Sequence, residues 1–502
     1  MKILHVIQQL SCGGAARAML SLIKYCSLDS RFKHQILSLL PPNLSGFQNE
    51  QLTGLQDKII EGNETEIKQI IEEADIVQVH FWNSPEMYEF LASSLPPHRL
   101  IIWLHIAGNT PPHILPKMLI NNSDKVIASS PYTLEIQSLA SLKESVKLEK
   151  IKSIYSISDF ARLENFASQE HQEFVVGYLG TTNPVKIHPN YIQMNGDINI
   201  PNIRFLVAGD ETGCLQLQKQ AEKLNVSDKF EFLGYIKNIK SFLEKIDVFG
   251  YPLCPNNYST VELVLQEVMW VGIPPVIFAY GGAQRTVIHQ ETGLIVHSEK
   301  EYQEAILYLY ENPQERKRLG DNAKIYAQKN FAHDLIMGQW KQLYQETIEL
   351  PKTLHQLSFN SDVGSDIFRQ TLDKYADPFC KSLSSDNIQE LLESDSIIAS
   401  SSPVLYNISG GGILHYQRYY SKDAYLSFWG GLVWQKQGQN IRAIAYFKKA
   451  IQLGFPHWRI HWYLAKAFEK VKAFDLMKTS LQEVINADPS FGEAKNMLDY
   501  YS

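Results

Sequence analysis

Residues Ile246 to Val296 read IDVFGYPLCPNNYSTVELVLQEVMWVGIPPVIFAYGGAQRTVIHQETGLIV, and this stretch decides the fold class. The apolar run from Val248 to Leu253 predicts a strand, which a polar loop follows. The apolar spacing from Val261 to Trp270 predicts a helix, and Gly272 and Pro274 end it. A second apolar run leads into a Gly-Gly turn. Strand, helix and strand in this order predict one βαβ unit of a parallel sheet.

Strands and helices alternate in the same way on both sides of this stretch. Apolar runs that predict buried strands lie at 2–7, 74–80, 100–104, 126–130, 174–179 and 205–209. Such alternation is typical of doubly wound parallel α/β sheets, in which ligands bind beyond the carboxyl ends of the strands. We therefore expect polar side chains that follow a strand, such as His80 and His105, to lie on the ligand-binding side.

Length and composition restrict the class of protein. The chain has 502 residues, a length that favours about three domains over one. The net charge of −7 argues against a nucleic-acid-binding protein. The five cysteines are scattered and form no CxxC pair, which argues against a zinc site or a disulfide framework.

The N-terminus, MKILHVIQQL, lacks the pattern of a signal peptide because His5, Gln8 and Gln9 interrupt its apolar run. No run of the sequence approaches the roughly 18 apolar residues that a membrane-spanning helix needs. We therefore expect a cytoplasmic protein, for which peripheral contact with a membrane stays open.

The central stretch also carries motif residues in a fixed order. They are Pro252 or Pro255, Glu267, Met269, Gly272, Pro274, Val276, Ile277, Gly281, Gly282, Thr292, Gly293 and Leu294. In this order they resemble the nucleotide-sugar half of the GT-B glycosyltransferases of family 4. The sequence departs from the family at two places: Ser259 stands where the first of two glutamates is expected, and Tyr178 stands where an arginine is expected.

The resemblance implies an α/β fold with two Rossmann-like domains that face a cleft, followed by an all-α tail of helical repeats. We place the N-terminal acceptor domain at residues 1–165. The nucleotide-sugar domain, with a helix that returns to the first domain, takes residues 166–350. A linker with helical segments takes residues 351–420, and tetratricopeptide-like helices take residues 421–502.

The end of the chain repeats at a spacing of 34 residues, as from Trp434 to Phe468. The other corresponding pairs are Ala443 and Met477, Phe447 and Leu481, and Ala450 and Val484. This period and its pattern of small and large residues are typical of tetratricopeptide helix pairs. Two interpretations stay open: a module that binds a protein partner or a second copy of the chain, and an ordinary four-helix tail.

The resemblance implies a hexosyltransferase that moves a sugar from a nucleotide-sugar donor to an acceptor with retention. The donor would be linked to UDP or GDP, and no metal or other cofactor would be needed. The acceptor, a glycan, a lipid or a protein, stays open. The alternative is a catalytically degenerate GT-B protein that binds a nucleotide, or a partner through its repeats. A sugar-nucleotide epimerase is a weaker third hypothesis.

By resemblance, His105 and Glu262 are the candidate catalytic residues, and we favour His105 over His80. The family has a histidine at this place against the donor sugar and the leaving phosphate. A lysine at the place of Lys186 offsets the charge of the leaving diphosphate, and a glutamate at the place of Glu267 accepts hydrogen bonds from the ribose. The residues expected to bind the donor are Gly13, Gly14, Lys186, Ser259, Thr260, Leu263, Glu267, Gly281, Gly282 and Arg285.

Ser259 and Glu262 allow two interpretations. Ser259-Thr-Val-Glu262 reads as a capping box, in which Ser259 is the N-cap and Glu262 lies three residues on. Alternatively, Glu262 reaches the sugar and replaces the missing glutamate. The backbone amides at the start of the helix would face the diphosphate. Arg285 is a candidate substitute for the family's arginine.

Overall fold

The structure, a computed structural model, describes residues 1–45, 47, 59–60, 62–136, 139 and 149–501. The chain divides into two compact units. The first contains Met1–Trp82 and Ser93–Leu357, and the second contains Asn83–Ala92 and Ser358–Ser502. Throughout the described ranges, every helix is too short or too polar to cross a bilayer.

The first unit begins with a parallel sheet. Its region holds the strands β1 (Lys2–Gln9), β2 (Lys33–Leu40), β3 (Ile59–Ile60), β4 (Ile76–Phe81), β5 (Leu100–Leu104), β6 (Asn109–Thr110), β7 (His113–Ile114), β8 (Lys125–Ala128) and β9 (Ile151–Ser153). The sheet has the order β3-β2-β1-β4-β5-β8-β9, whereas β6 and β7 form a separate antiparallel pair. β4 and β5 are buried along their whole length, as expected for central strands covered on both faces.

A second parallel sheet follows in the same unit. Its strands are β10 (Phe174–Leu179), β11 (Ile203–Ala208), β12 (Phe230–Gly234), β13 (Val248–Tyr251), β14 (Pro275–Phe278) and β15 (Leu294–Val296). They pair in the order β12-β11-β10-β13-β14-β15. In both sheets the strand order reverses beside the first strand, which is the switch point of a doubly wound fold. The predicted parallel α/β class is therefore confirmed.

Helices alternate with the strands of both sheets. They are Gly14–Cys26, Glu64–Glu73, Lys117–Asn121, Tyr191–Gly196, Glu211–Lys223, Ile239–Leu243, Leu263–Val271, Glu299–Glu311, Pro313–Asn330 and His333–Ile348. The last of them packs on the first sheet, where the rings of Trp340 and Trp103 lie 4.5 Å apart. The Tyr344 hydroxyl donates to Gln78 Oε1 over 2.6 Å. The chain thus returns to its first sheet before the unit ends.

The helix of the central stretch begins later than predicted. It spans Leu263–Val271, and Glu262 is its N-cap with an extended backbone (φ −102°, ψ 105°). The prediction of a helix from Val261 is therefore wrong by two residues at its start. Gly272 ends the helix at φ 88°, a left-handed conformation that favours glycine.

The second unit is entirely helical in its described residues. Its helices are Pro85–Ala92, Gly364–Thr371, Asp377–Ser384, Ile388–Ala399, Pro403–Tyr406, Ile413–Tyr419, Ala424–Lys436, Asn440–Gln452, Arg459–Lys470, Phe474–Ala487 and Gly492–Tyr500. The first of these joins the rest through Glu86, whose Oε1 lies 3.0 Å from His415 Nε2. The predicted all-α tail is confirmed. Its interpretation as tetratricopeptide-like stays a prediction.

Candidate functional site

Most of the predicted donor-binding residues follow three neighbouring strands of the second sheet. Lys186 follows β10, the loop 254–262 follows β13, and the Gly281-Gly282 turn follows β14. Because these strands are adjacent and parallel, their carboxyl ends form one edge. The Cys254 amide donates to the Lys186 carbonyl over 2.7 Å, which joins the first two loops directly.

A buried ion pair lies at this edge. Lys186 Nζ is 2.7 Å from Glu262 Oε2, and the side chains are 15% and 7% exposed. The Tyr251 hydroxyl donates to the same carboxylate oxygen over 2.6 Å. Two of the predicted site residues, Lys186 and Glu262, are therefore in direct contact, and Tyr251 is a third member that sequence analysis did not identify.

Burial and the nearby carboxylate shift the pKa of Lys186 in opposite directions. Burial alone would lower the pKa of its ammonium group, but the Glu262 carboxylate raises that pKa above its ordinary value. Burial and the same carboxylate both raise the pKa of the Tyr251 hydroxyl. The cluster therefore consists of a protonated lysine, a carboxylate and a neutral tyrosine, and the lysine keeps its positive charge at physiological pH.

The predicted capping box is absent from the described helix. Ser259 lies outside the helix and its amide donates to Asn257 Oδ1 over 2.9 Å. Glu262 does not reach back to Ser259, because its carboxylate binds Lys186 and Tyr251. The buried Ser259 hydroxyl has no hydrogen-bond partner among the described residues. The capping interpretation is therefore wrong.

The Gly281-Gly282 turn packs against the backbone of the loop 254–262. The Gly282 amide donates to the Ser259 carbonyl over 2.8 Å. A Cβ atom on Gly282 would lie 1.7 Å from the Thr260 carbonyl oxygen, and one on Gly281 would lie 2.6 Å from Asn257 Oδ1. This turn needs glycine because the loop approaches so closely.

The Gly13-Gly14 turn has different surroundings. Gly13 caps the first helix, and both glycines are exposed. A Cβ atom on Gly14 would have no other described atom within 4 Å. The space beside this helix start is open, and the role of Gly13 and Gly14 in binding the donor stays a prediction.

The loop after β5 contacts the loop 254–262. The Ala107 amide donates to the Tyr258 carbonyl over 3.0 Å, and Thr110 Oγ1 lies 3.3 Å from the Asn257 carbonyl. Thr260 binds the first sheet's loops as well, since its carbonyl accepts from Ser130 Oγ over 2.6 Å. These contacts place the segment that begins with His105 beside the candidate donor loop.

His105 is buried, and burial lowers its pKa to about 3. Its Nε2 atom lies 3.0 Å from His80 Nδ1. The sequence treats His105 and His80 as alternatives, whereas in the structure a hydrogen bond joins their rings. A neutral imidazole offers one donor and one acceptor, so His105 can exchange one hydrogen bond with a ligand through its other ring nitrogen.

Glu267 is the fifth residue of the helix Leu263–Val271, and its side chain is 2% exposed. Its carboxylate contacts the guanidinium of Arg162 and the hydroxyl of Ser158. Arg162 was not identified from the sequence, because it lies 105 residues away and no motif marks it. The predicted role of Glu267 in binding the ribose stays a prediction.

The remaining predicted residues have defined neighbours. Arg285 pairs with Glu135, with Nε 3.1 Å from the carboxylate, and both side chains are 49% exposed. Leu263 is the first residue of its helix. Tyr178 is buried, and its hydroxyl donates to the Thr181 carbonyl over 2.6 Å. Tyr178 therefore supplies no positive charge, and Arg285 already has a carboxylate partner.

Within the described ranges, no group of three or more histidine, cysteine, aspartate or glutamate side chains could hold a metal ion. The described charges at the site are the cations Lys186, Arg162 and Arg285 and their carboxylate partners.

Comparison with known proteins adds a family match to this geometry. Residues 161–326, which include the second sheet and its loops, match the family model described as glycosyl transferases group 1. Over 142 residues the chain is 28% identical to the trehalose synthase of Pyrococcus horikoshii, covering 26% of this chain and 34% of that protein.

A second curated relative comes from Campylobacter jejuni. It is the GalNAc-α-(1→4)-GalNAc-α-(1→3)-diNAcBac-PP-undecaprenol α-1,4-N-acetyl-D-galactosaminyltransferase. The identity is 26% over 207 residues, covering 40% of this chain and 55% of that protein. This chain therefore spans a third of the length of the first relative and about half of the second.

Among solved structures, HepE of Anabaena in complex with UDP matches with a TM-score of 0.55 at 18% identity. The match covers 69% of this chain and 100% of that one. At this identity the likeness concerns the fold. The chain thus has the parallel α/β fold of GT-B glycosyltransferases, and its residues 161–326 match the glycosyl transferases group 1 family.

Proposed function

We propose that this protein is a glycosyltransferase that transfers a sugar from a nucleotide sugar, linked to UDP or GDP, to an acceptor with retention. The observation that carries the proposal is the buried Lys186–Glu262 pair. It lies at the carboxyl edge of a parallel sheet, within the segment that matches the glycosyl transferases group 1 family. Ligands of open α/β sheets bind at this edge.

The pair suits the departure of a nucleoside diphosphate. Bond cleavage at the sugar leaves additional negative charge on the diphosphate, and a fixed cation stabilises that charge in the transition state. Lys186 stays protonated because Glu262 raises its pKa above the ordinary value, although burial lowers it. When the diphosphate binds, it shares the lysine with Glu262, whose carboxylate then faces the bound donor.

The Ser259 hydroxyl is suited to a sugar hydroxyl. It is buried beside the glycine turn and has no partner among the described residues. A buried polar group without a partner carries a cost that a ligand can remove. We assign Ser259 a hydrogen bond to the donor sugar at the place where the family has a glutamate. His105, whose loop contacts the loop of Ser259, would bind the same sugar.

UDP is the first nucleotide to test, because solved structures of the same fold contain UDP and UDP-glucose. Lipid-linked glycans are the first acceptors to test, because one relative's name specifies an undecaprenol-linked substrate.

We also propose that the protein acts in the cytoplasm without a metal cofactor, and that residues 421–502 bind a protein partner or a second copy of the chain.

A specific observation favours a second candidate, a degenerate protein that binds a nucleotide without turnover. Lys186, Arg162 and Arg285 each contact a carboxylate in the structure. A donor diphosphate must therefore compete with these carboxylates for the positive charges. Ser259 and Tyr178 also replace the charged residues of the family pattern.

Calorimetric titration with UDP-, GDP- and ADP-sugars tests both candidates. We expect one donor to bind, and we expect Lys186→Ala and Glu267→Ala to abolish that binding. Lys317→Ala is the matched control, because this exposed lysine pairs with Asp321 on a surface helix. Binding followed by release of the nucleoside diphosphate in the presence of an acceptor supports the transferase. Binding without release supports the second candidate, and failure of the folded protein to bind any donor rejects both.

A further inference from the structure

Four histidines form a row across the first sheet. His34 lies on β2, His5 on β1, His80 on β4, and His105 directly after β5. These strands are neighbours in the order β2-β1-β4-β5. His34 Nδ1 is 2.8 Å from His5 Nε2, His5 Nδ1 is 3.0 Å from His80 Nε2, and His80 Nδ1 is 3.0 Å from His105 Nε2. We call these residues the histidine row.

Every link of the histidine row has the same sense, from Nδ1 of one ring to Nε2 of the next. The rings are between 0% and 9% exposed. Trp103 packs beside two of them, with its ring 5.0 Å from His80 and 4.7 Å from His105. The row is therefore a continuous chain of hydrogen bonds in the buried part of the sheet, and it ends at a candidate catalytic residue.

The protonation of the histidine row limits its hydrogen bonds to two patterns. Burial keeps the pKa of His5 and His80 well below the ordinary value; His34 lowers that of His5 further, and His105 and His5 lower that of His80 further. A neutral imidazole carries one proton, so each link has one donor and one acceptor. When all four rings are neutral, either every ring carries its proton on Nδ1, or every ring carries it on Nε2.

The two patterns give His105 opposite properties. In the first, His105 accepts from His80 and presents an Nδ1–H donor beyond the row. In the second, His105 donates to His80 and presents a bare Nδ1 acceptor. Conversion of the first pattern to the second moves one proton along each link. It requires one proton taken up at His34 Nε2 and one released from His105 Nδ1, so the total charge is unchanged.

We propose that the histidine row is a tautomer relay in which His34, His5 and His80 are positioning residues that set the proton of His105. Whether the Nδ1 atom of His105 donates to a ligand or accepts from it is thereby decided by three residues that do not touch the ligand. The relay itself follows from the geometry of the sheet. Its consequence for a bound sugar rests on the proposed function, since only a donor at the loop 254–262 would meet His105.

Nuclear magnetic resonance of the full-length protein with ¹⁵N-labelled histidine tests the relay directly. Protonated and bare ring nitrogens have well-separated ¹⁵N shifts, and a scalar coupling between two nitrogens reports an N–H···N bond. We expect one common tautomer for His34, His5, His80 and His105, and couplings across the three links. Mixed tautomers in the wild-type protein, or the absence of these couplings, would overturn the proposal.

His5→Gln cuts the row at its second member. Glutamine is similar in length and can both donate and accept, but it cannot pass a proton from one end to the other. We expect His105 in this variant to become a mixture of tautomers. His98→Gln is the control, because His98 is a buried histidine of the same unit that binds the Pro96 carbonyl. Unchanged His105 shifts in folded His5→Gln would contradict the relay.

Binding of UDP and UDP-glucose to the same proteins separates the relay from the proposed function. We expect His5→Gln to lower the affinity for UDP-glucose by about three- to tenfold, which corresponds to the loss of one hydrogen bond. The affinity for UDP should be unchanged. Equal affinities of the wild type and the variant for UDP-glucose would contradict the proposed effect of the relay on sugar binding. If the wild type binds neither compound, the function proposed for these donors fails, while the nitrogen couplings still decide the relay.

Discussion

Ser259 is the residue at which the chain departs most clearly from the family pattern. A serine cannot carry charge, but its hydroxyl is buried and without a partner among the described residues. The proposed role of Ser259 therefore depends on its buried hydroxyl without a partner and not on a charge. The nearby negative charge comes from Glu262, the candidate replacement for the missing glutamate, which Lys186 and Tyr251 hold by hydrogen bonds.

Ser259→Ala separates ligand binding from stability. Because the hydroxyl has no protein partner, we expect its removal to change the free energy of unfolding by less than about 1 kcal/mol. We expect the affinity for the donor sugar to fall by about tenfold, the loss of one hydrogen bond. Urea titration and calorimetric binding measure the two effects. Thr260→Val is the contrasting variant, because the Thr260 hydroxyl lies 3.3 Å from Thr133 Oγ1 and its loss should reduce stability. Unchanged donor affinity in Ser259→Ala would show that Ser259 does not bind the donor sugar.

At the scale of the element, apolar runs predicted β1, β4, β5, β8, β10, β11, β13 and β14 but not β2, whose sequence KHQILSLL mixes polar and apolar residues. Leu100–Leu104 and Phe174–Leu179 have the predicted bounds, since central strands of a parallel sheet are apolar throughout. The start of the Leu263–Val271 helix was not predictable. The local sequence favours a capping box, but Glu262 is drawn to Lys186, which is 76 residues away in the chain. The histidine row was missed for a similar reason, because its contacts depend on the order of strands.

The Gly281-Gly282 turn provides a test of how elements fit together. We expect Gly282→Ala to destabilise the protein by about 3 kcal/mol, because its Cβ atom would overlap the Thr260 carbonyl oxygen. Gly14→Ala should be neutral or stabilise by about 0.5 kcal/mol, since it restricts the unfolded chain without a clash. Urea unfolding measures both. If the two variants have equal stability, the close approach of the loop is not a constraint on the fold.

The first sheet should lose stability in mild acid because of its histidine row. Burial holds the pKa of His5 and His80 well below 6.5 and that of His105 at about 3. Above pH 6.5 these rings are neutral in both the folded and the unfolded protein. Below it, the unfolded rings take up protons that the folded rings do not. Stability should therefore fall by about 1.4 kcal/mol per pH unit for each ring.

Urea titrations between pH 7.5 and 5 check this dependence. For the three rings the slope should approach about 4 kcal/mol per pH unit below pH 6. His5→Gln should reduce the slope by about a third, because it removes one of the three rings. An equal slope in wild type and His5→Gln would show that the row is not the cause.

At the scale of the whole molecule, each unit has its own core. The second unit contains a buried ion pair, in which Arg459 Nε lies 2.9 Å from Asp395 Oδ2 and the side chains are 1% and 0% exposed. Trp429 Nε1 donates to Ser382 Oγ over 3.0 Å, and Ser382 Oγ lies 3.0 Å from Asp395. This polar network joins helices that are distant in sequence. Composition and periodicity predicted the helices of this unit but not the charges between them.

Asp395→Asn should destabilise the second unit by about 3–5 kcal/mol, because it leaves the Arg459 charge buried without a counter-charge. Hydrogen exchange measures this effect locally. We expect faster exchange in the helices Ala424–Lys436 and Arg459–Lys470 and no change in the second parallel sheet. Asp366→Asn is the control, because its pair with Arg369 is partly exposed and worth no more than about 1 kcal/mol. Unchanged exchange in the two helices would show that the buried pair is dispensable.

The Lys186–Glu262 pair has a consequence for selectivity among cellular anions. Lys186 already has a counter-ion in Glu262, so we expect it to attract free phosphate or sulfate less than an unpaired lysine would. An incoming anion must compete with a carboxylate that is already desolvated and held by Tyr251. Only a ligand with additional contacts, such as a base, a ribose and a sugar, recovers that cost. At the proposed donor site we therefore expect Glu262 to compete with inorganic ions for Lys186 and to disfavour their binding.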